Sequence, residues 1–146
     1  EVLWFATLLH RDANGKERLL TRGWLRGSQR KLDPAKSKPW QPYHTHDERQ
    51  PLKPNQIYEF NIEIRPIGIE LKPGESIGLR IKSADNDPPT NITEDIGLGS
   101  VSRPMASHVS VHHNADNPSH LLLPITRGNR IGTFISGGKL PPLMKN

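Results

Sequence analysis

A chain of 146 residues is long enough for one domain with a proper core and too short for two. The absence of cysteine excludes disulfides and thiolate metal sites, and no apolar run approaches the ~20 residues of a membrane-spanning helix. Only 33% of the residues are hydrophobic, whereas 14 are proline and 12 are glycine. This composition is typical of short strands joined by long loops and argues against a helical bundle.

The formal net charge is +5, from 20 basic and 15 acidic residues, and the excess lies mainly between residues 16 and 38. Proteins that read single-stranded nucleic acid interleave base-stacking aromatic residues with such charges, and this segment lacks that pattern. We therefore interpret the basic cluster as a solvated face or as a face that meets an acidic neighbouring domain. The cluster consists of Lys16, Arg18, Arg22, Arg26, Arg30, Lys31, Lys36 and Lys38.

The chain opens with a predicted β-hairpin. Residues 2–10 are apolar and β-prone, residues 12–15 (Asp-Ala-Asn-Gly) supply turn chemistry, and residues 17–26 form the second strand. Because the strand-like run follows directly after Glu1, we expect the chain to be an excerpt from a longer protein.

A long loop is predicted for residues 27–54, because its prolines forbid a long helix or a central strand. Loops of this length usually pack against something, and we expect its large apolar residues to anchor it. The prolines are Pro34, Pro39, Pro42, Pro51 and Pro54, and the expected anchor is Trp40, Pro42 and Tyr43.

The second half of the chain contains further strand signals. Residues 58–64 alternate apolar and polar side chains, and residues 77–82 repeat the alternation after a Lys-Pro-Gly turn. Residues 84–99 are a predicted loop, residues 109–111 and 120–125 are predicted short strands, and residues 126–146 are a Gly/Pro-rich tail. Short strands without an amphipathic helix predict an all-β fold, with a β-sandwich as the best architecture.

Three stretches carry a combination of motifs that is more specific than any one of them. They are LTRGWLRGSQRKLDP at residues 20–34, KPWQPYH at residues 38–44 and LKPNQIYEFNIEIRPIGIELKPGESIGLRI at residues 52–81. In this order they resemble the C-terminal domain of the cocaine esterase / X-Pro dipeptidyl-peptidase family of serine hydrolases. The sequence departs from the family pattern at Asn55, where a glycine is common after the proline. Asparagine tolerates the positive φ that a glycine there would adopt.

The resemblance implies a jelly-roll β-sandwich, similar to galactose-binding domains, over residues 1–125. Its first strands are expected upstream of Glu1, and an α/β-hydrolase domain with a Ser/Asp/His triad is expected before it. Since the family's triad lies outside the matched stretch, no catalytic residue is carried over. The predicted function is a structural and interface domain that braces the hydrolase domain and shapes its substrate cleft. The predicted partners are that domain and a second copy of the chain, with no nucleic acid, membrane, cofactor or metal.

A literal G-x-S-x-G at residues 74–78 offers a competing interpretation, a self-contained hydrolase that uses Ser76. A nucleophile elbow has a strand before the serine and a helix after it. Here a Pro-Gly turn precedes Ser76 and an alternating strand follows it, so we interpret Ser76 as a strand residue. The triad of α/β-hydrolases follows the chain order Ser…Asp…His. The carboxylates and histidines that could complete this order after Ser76 are Asp85, Asp87, Asp95, His108, His112 and His113.

Two groups of residues resemble metal ligands. His44, His46 and Asp47, together with the histidines at 108, 112, 113 and 120, offer imidazole and carboxylate ligands for zinc, nickel or copper. The Pro-rich loop has no evident second shell to orient such rings, so no metal is predicted. The acidic residues of segment 85–95 lack the EF-hand spacing, which favours a solvated loop over a calcium site.

Trp24, Trp40 and Tyr43 could form an aromatic platform for a sugar ring, which makes a carbohydrate-binding module the first alternative function. Trp24 lies within a predicted strand, however, and Trp40 lies among prolines. We therefore predict that both tryptophans fill the core or its rim.

Overall fold

The structure, a computed structural model, describes residues 1–84 and 108–125. Its strands form one three-stranded antiparallel sheet in the order β2-β1-β3. This predominance of strands confirms the predicted all-β class. Among the described residues, no helix combines the length and apolar character needed to cross a membrane. The elements are β1 (Leu3–Arg11), β2 (Glu17–Arg26), a short 3-10 turn (Gly27–Gln29) and β3 (Ser76–Lys82).

The predicted hairpin is confirmed, and the aspartate at the start of its turn holds the turn together. Asp12 Oδ1 accepts the backbone N–H groups of Asn14 and Lys16, both at 2.9 Å. Gly15 adopts a left-handed φ of 83°, and its N–H donates to the Asp12 carbonyl at 3.0 Å. Because aspartate and glycine both favour this turn, the local sequence brings β2 back along β1.

Strand β1 lies between the other two strands and is buried on both faces. Phe5 and Thr7 lie on one face of the sheet and Ala6 and Leu8 on the other, and all four are buried. A continuous apolar run, in place of an alternating one, is typical of a strand covered on both sides. The run at the start of the sequence therefore supplies the centre of the core.

Strand β3 pairs with β1, which confirms the predicted strand at residues 77–82. Leu79 lies opposite Leu8, and Ile81 lies opposite Ala6, so these apolar side chains share one face. Leu79 and Ile81 nevertheless remain 42% and 41% exposed. The face is thus well covered at β1 and only partly covered at β3.

The predicted strand at residues 58–64 is wrong as an element, although its alternation of burial is right. The apolar side chains are half-buried and the charged ones are exposed, yet the structure assigns no strand there. Arg65 N–H donates to the Arg22 carbonyl at a long 3.4 Å, and Thr21 Oγ1 donates to the Arg65 carbonyl at 3.0 Å. Alternation reports that one side of a segment is covered, whereas a strand also requires a regular backbone ladder.

Segment 58–65 instead packs closely against the sheet. The Phe60 ring meets the Trp4 ring edge-on, with centroids 5.9 Å apart. At Gly23 the backbones come so close that a Cβ atom would lie 1.8 Å from the Glu63 carbonyl oxygen. A glycine at position 23 is therefore required by the approach of this segment to β2.

The remaining strand predictions are also wrong where they can be compared with the structure, because residues 108–125 contain no strand. Val109 and Val111 are exposed, as are Leu122 and Ile125, so these side chains cover no sheet face. Residues 85–99 of the predicted loop and the whole predicted tail lie outside the described residues.

The chain divides into two compact units, Glu1–His112 and His113–Asn146. The first unit contains the sheet. In the described part of the second, Asn114 Oδ1 accepts the Asn117 N–H at 2.8 Å and shapes a local bend.

Candidate docking surface

A hairpin-like loop, residues 31–45, follows the 3-10 turn. Backbone hydrogen bonds join its two arms: Asp33 N–H donates to the Tyr43 carbonyl at 2.9 Å, and Thr45 N–H donates to the Lys31 carbonyl at 3.1 Å. These bonds flank an isolated bridge between the two arms. The Pro-rich excursion is thus an ordered projection with its own backbone pairing.

The tip of loop 31–45 is a tight turn that contains Trp40. Lys38 N–H donates to the Gln41 carbonyl at 2.9 Å, and Gln41 N–H donates to the Lys38 carbonyl at 3.0 Å. Pro39 fixes its own φ between these two residues, which favours the turn. The backbone that carries the Trp40 side chain is therefore well defined.

Two side chains stiffen the arms of the loop. Asp33 Oδ1 accepts the Ala35 N–H at 2.9 Å, which makes an Asx turn across the intervening proline. Ser37 Oγ accepts the Tyr43 N–H at 3.0 Å and so ties one arm to the other. Local side chains satisfy backbone donors that would otherwise face solvent or the loop interior.

Trp40 and Tyr43 project from the loop. The prediction that they anchor it is wrong, and so is the prediction that Trp40 fills the core or its rim. Their side chains are 65% and 47% exposed. The backbone and side-chain hydrogen bonds of its arms hold the loop. The large aromatic residues are therefore not needed to pack it. A largely exposed tryptophan on an ordered turn is typical of a contact residue for another surface.

The electrostatic surroundings of the two aromatic residues are basic. Lys36 Nζ lies 4.8 Å from the Tyr43 ring centroid and 3.6 Å from Asp33 Oδ2. Lys38, at the tip, is exposed. The surface around Trp40 therefore combines apolar rings with positive charge.

Not every basic residue of the predicted cluster belongs to that surface. The Arg30 guanidinium donates through Nη1 to the carbonyls of Gly27 at 3.0 Å and Gln50 at 2.5 Å, and it stacks over the Tyr58 ring at 4.4 Å. Arg30 thereby links the 3-10 turn to the chain that leaves loop 31–45. Its role in the described structure is to hold the base of the loop.

Lys31 is likewise engaged at the base of the loop. Its Nζ lies 3.1 Å from Asp47 Oδ2 and 3.2 Å from Glu48 Oε2, and these hydrogen bonds raise the Lys31 pKa. The Thr45 hydroxyl, followed by Lys31, lowers the Asp47 pKa. Exposed ion pairs of this kind add little stability. The contacts of Lys31 with Asp47 and Glu48 therefore mainly fix the direction in which the chain leaves the loop.

The histidines of the loop do not form a metal centre. His44 Nε2 lies 2.9 Å from the Asn61 carbonyl and must donate to it, while His44 Nδ1 is buried without a hydrogen-bond partner. His46 Nδ1 bonds to Gln29 Oε1 at 3.1 Å, and its φ of 54° shows that His46 is not in a strand, although the His44 and His46 ring centroids lie 6.0 Å apart. Among the described residues, no group of three or more ligating side chains could hold a metal ion.

Ser76 is the first residue of β3 and is exposed. The turn before it is closed by Glu75 N–H, which donates to the Lys72 carbonyl at 3.0 Å, and Gly74 adopts a φ of 86°. The order is turn then strand, whereas a nucleophile elbow requires strand then helix. The arrangement therefore agrees with the interpretation of Ser76 as a strand residue.

The remaining candidates separate into three groups. The histidines at 108, 112, 113 and 120 are exposed. Segment 85–95, which contains the possible calcium ligands and the carboxylates of the hydrolase interpretation, lies outside the described residues. Trp24 is half-buried in β2, as predicted, with the Arg65 guanidinium 5.3 Å from its ring centroid. The three aromatic residues of the proposed sugar platform thus differ, because Trp24 belongs to the sheet and the other two to the exposed loop.

Sequence reasoning missed two features of the structure, the exposure of Trp40 and the close approach of segment 58–65 to Gly23 of β2. The exposure of Trp40 follows from backbone pairing between distant arms of a Pro-rich loop, which residue pattern alone does not reveal. Gly23 was available as a signal, because a glycine inside a strand often marks a close backbone approach.

The model of the X-Pro dipeptidyl-peptidase C-terminal non-catalytic domain family matches residues 2–122. No curated protein and no solved structure matches the chain significantly. The family match spans the β1–β2 hairpin, loop 31–45 and β3, and these elements agree with an all-β sandwich domain. The chain therefore belongs to the family of X-Pro dipeptidyl-peptidase C-terminal non-catalytic domains.

Proposed function

We propose that this domain braces an α/β-hydrolase domain of the same polypeptide and helps to wall its substrate cleft. The parent protein would be a serine hydrolase, an acyl esterase or an X-Pro dipeptidyl-peptidase, whose nucleophile and proton-transfer groups lie outside this chain. The observation that carries the proposal is the match of a non-catalytic C-terminal domain family to residues 2–122. The strand position of Ser76 supports it, because that serine lacks the elbow that a nucleophile needs.

The test compares the full-length enzyme with a form from which this domain has been deleted. Active sites are counted in both by titration with a fluorophosphonate, so that misfolded protein does not enter the rates. We expect kcat/KM per active site to fall roughly tenfold or more for a bulky acyl or peptide substrate, because small displacements in a cleft are costly. The effect should be weaker for the smallest ester. Equal kcat/KM values for both substrates would contradict the proposal.

A carbohydrate-binding module is the second candidate, and the exposure of Trp40 favours it. A sugar ring could stack on this indole, although Trp24 belongs to β2 and has the Arg65 guanidinium over its ring. A calorimetric titration with simple sugars tests this function. Binding that Trp40→Ala abolishes would support it, and the absence of heat with every sugar would exclude it.

We also propose that the chain self-associates when its neighbouring domain is missing. The partly exposed Leu79 and Ile81 of β3 support this proposal, because uncovered apolar side chains favour association. Sedimentation velocity should show dimers or larger species at high concentration. A clean monomer under those conditions would contradict it.

A further inference from the structure

We propose that loop 31–45 is the element by which this domain docks onto the catalytic domain of the same polypeptide. Trp40 would enter an apolar pocket of that domain, and acidic side chains at the rim of the pocket would face the lysines of the loop. The inference rests on the proposed function, since it names the surface that performs the bracing.

Trp40 is exposed on an ordered backbone. Its side chain is 65% exposed, yet reciprocal hydrogen bonds between Lys38 and Gln41 fix the turn that carries it. Interface hot spots are enriched in tryptophan and lie in well-packed pockets. A preordered loop also avoids the entropy cost of becoming ordered on binding.

The arms of the loop are ordered by their own hydrogen bonds. The Asx turn at Asp33 and the bond from Tyr43 N–H to Ser37 Oγ hold both arms without help from either aromatic ring. The rings of Trp40 and Tyr43 therefore contribute little to the described packing of the domain. An external partner gives them a role that the internal structure does not.

The charge of the loop also favours an acidic partner surface. Lys36 and Lys38 are exposed near the tip, and the acid of the loop, Asp33, is already close to Lys36 at 3.6 Å. A partner surface with carboxylates around an apolar pocket would match this pattern. Such complementarity steers docking and selects the correct orientation.

The catalytic domain is the occupant that these observations favour, because the family consists of C-terminal non-catalytic domains of X-Pro dipeptidyl-peptidases. A domain tethered in the same polypeptide is present at a high effective concentration. One aromatic anchor with a basic rim can therefore suffice, whereas a free partner would need a larger interface.

The experiment is hydroxyl-radical footprinting of the full-length enzyme, read by mass spectrometry at Trp40 and Tyr43. The oxidation rate of Trp40 is compared with that of the same tryptic peptide free in solution. We expect protection of about tenfold or more, since anchors at interface centres are largely desolvated. Without docking, a side chain that is 65% exposed should be oxidised nearly as fast as in the peptide.

Variants of the full-length enzyme then test the anchor itself. Trp40→Ala should raise oxidation at Tyr43 and accelerate proteolysis between the two domains by about tenfold, and Trp40→Phe should restore most of the protection. Lys36→Glu with Lys38→Glu should weaken docking and remove its salt dependence. Ile57→Ala is the matched control, because Ile57 is 58% exposed and lies outside the loop, and it should change neither readout.

The outcomes separate this inference from the proposed function. If Trp40 is oxidised as in the free peptide and Trp40→Ala changes nothing, while deletion of the domain still alters kcat/KM, the docking loop is wrong and the bracing function stands. If the deletion also has no effect, both fail. Protection that rises with protein concentration would identify a second copy as the occupant, and protection only by added sugar would identify a glycan; either would overturn the inference.

Discussion

Replacing Gly23 with alanine tests how segment 58–65 is held against the sheet. The new Cβ would lie 1.8 Å from the Glu63 carbonyl oxygen and 2.7 Å from the Glu63 carbonyl carbon. Both are backbone atoms, so no side-chain rotation relieves the clash. The segment must move by about 1.6 Å before ordinary contact at 3.4 Å is restored.

The cost can be estimated from the contacts that such a movement breaks. They are the hydrogen bonds of Thr21 and Arg22 with Arg65 and the edge-on contact between Trp4 and Phe60. At about 1 kcal/mol for each hydrogen bond and about 1 kcal/mol for the ring pair, the loss is about 3 kcal/mol. Alanine regains roughly 0.5–1 kcal/mol over glycine within a strand. Gly23→Ala should therefore lower the free energy of unfolding by about 2 kcal/mol.

Urea unfolding followed by tryptophan fluorescence measures this loss. At an m-value of roughly 2 kcal/mol/M, the midpoint should fall by about 1 M while the slope stays constant. Gly78→Ala is the matched control, because its Cβ would lie an ordinary 3.8 Å from Leu9 Cβ. That variant should be as stable as the wild type, or more stable by about 0.5 kcal/mol. A Gly23→Ala midpoint equal to that of the wild type would refute the close approach.

Three further predictions concern single positions. Asn55 adopts a φ of 58°, so Asn55→Gly should preserve stability, while Asn55→Ala should cost about 1 kcal/mol in thermal or urea unfolding; equal losses would contradict this. The backbone N–H of Lys72 and then the His10 side chain lower the Glu75 pKa in the folded state. Glu75 therefore contributes stability above its unfolded pKa, and this contribution is lost as the pH falls through the lower folded pKa. Unfolding measured across pH 3–6 should therefore show a flatter acid limb for Glu75→Gln, and an unchanged limb would refute the assignment. Arg30→Lys should lower the free energy of unfolding by about 1–2 kcal/mol, because the lysine ammonium lacks the planar group with which arginine bonds two carbonyls and stacks on the Tyr58 ring. A wild-type urea midpoint would show that these contacts of Arg30 are dispensable.

The sequence predicted the elements whose signals are local and contiguous. The β1–β2 hairpin follows from an apolar run, an Asx-Gly turn and a second run, and β3 follows from alternation after a Pro-Gly turn. The left-handed φ of Asn55 was also predictable, because the resemblance placed a glycine at that position. In each case the information lies within a few neighbouring residues.

The predictions that were wrong concern features that depend on residues far apart in the sequence. Segment 58–65 has the alternation of a strand, yet it covers the sheet without a regular ladder, and alternation does not distinguish these cases. Trp40 and Tyr43 have the character of core residues, yet the pairing of Lys31 with Thr45 and of Asp33 with Tyr43 places them on a projection. The exposure of Trp40 and Tyr43 is the part of the candidate site that could not be predicted from the sequence pattern.

The central claim of the proposed function is that this domain supplies no nucleophile to the hydrolase proposed to contain it. Fluorophosphonate labelling of the full-length protein, followed by intact mass and peptide mapping, tests this claim most directly. The account predicts one adduct, on a serine outside residues 1–146, and no adduct on any peptide of this domain. An adduct on Ser76 would contradict the account and make this chain an enzyme in its own right.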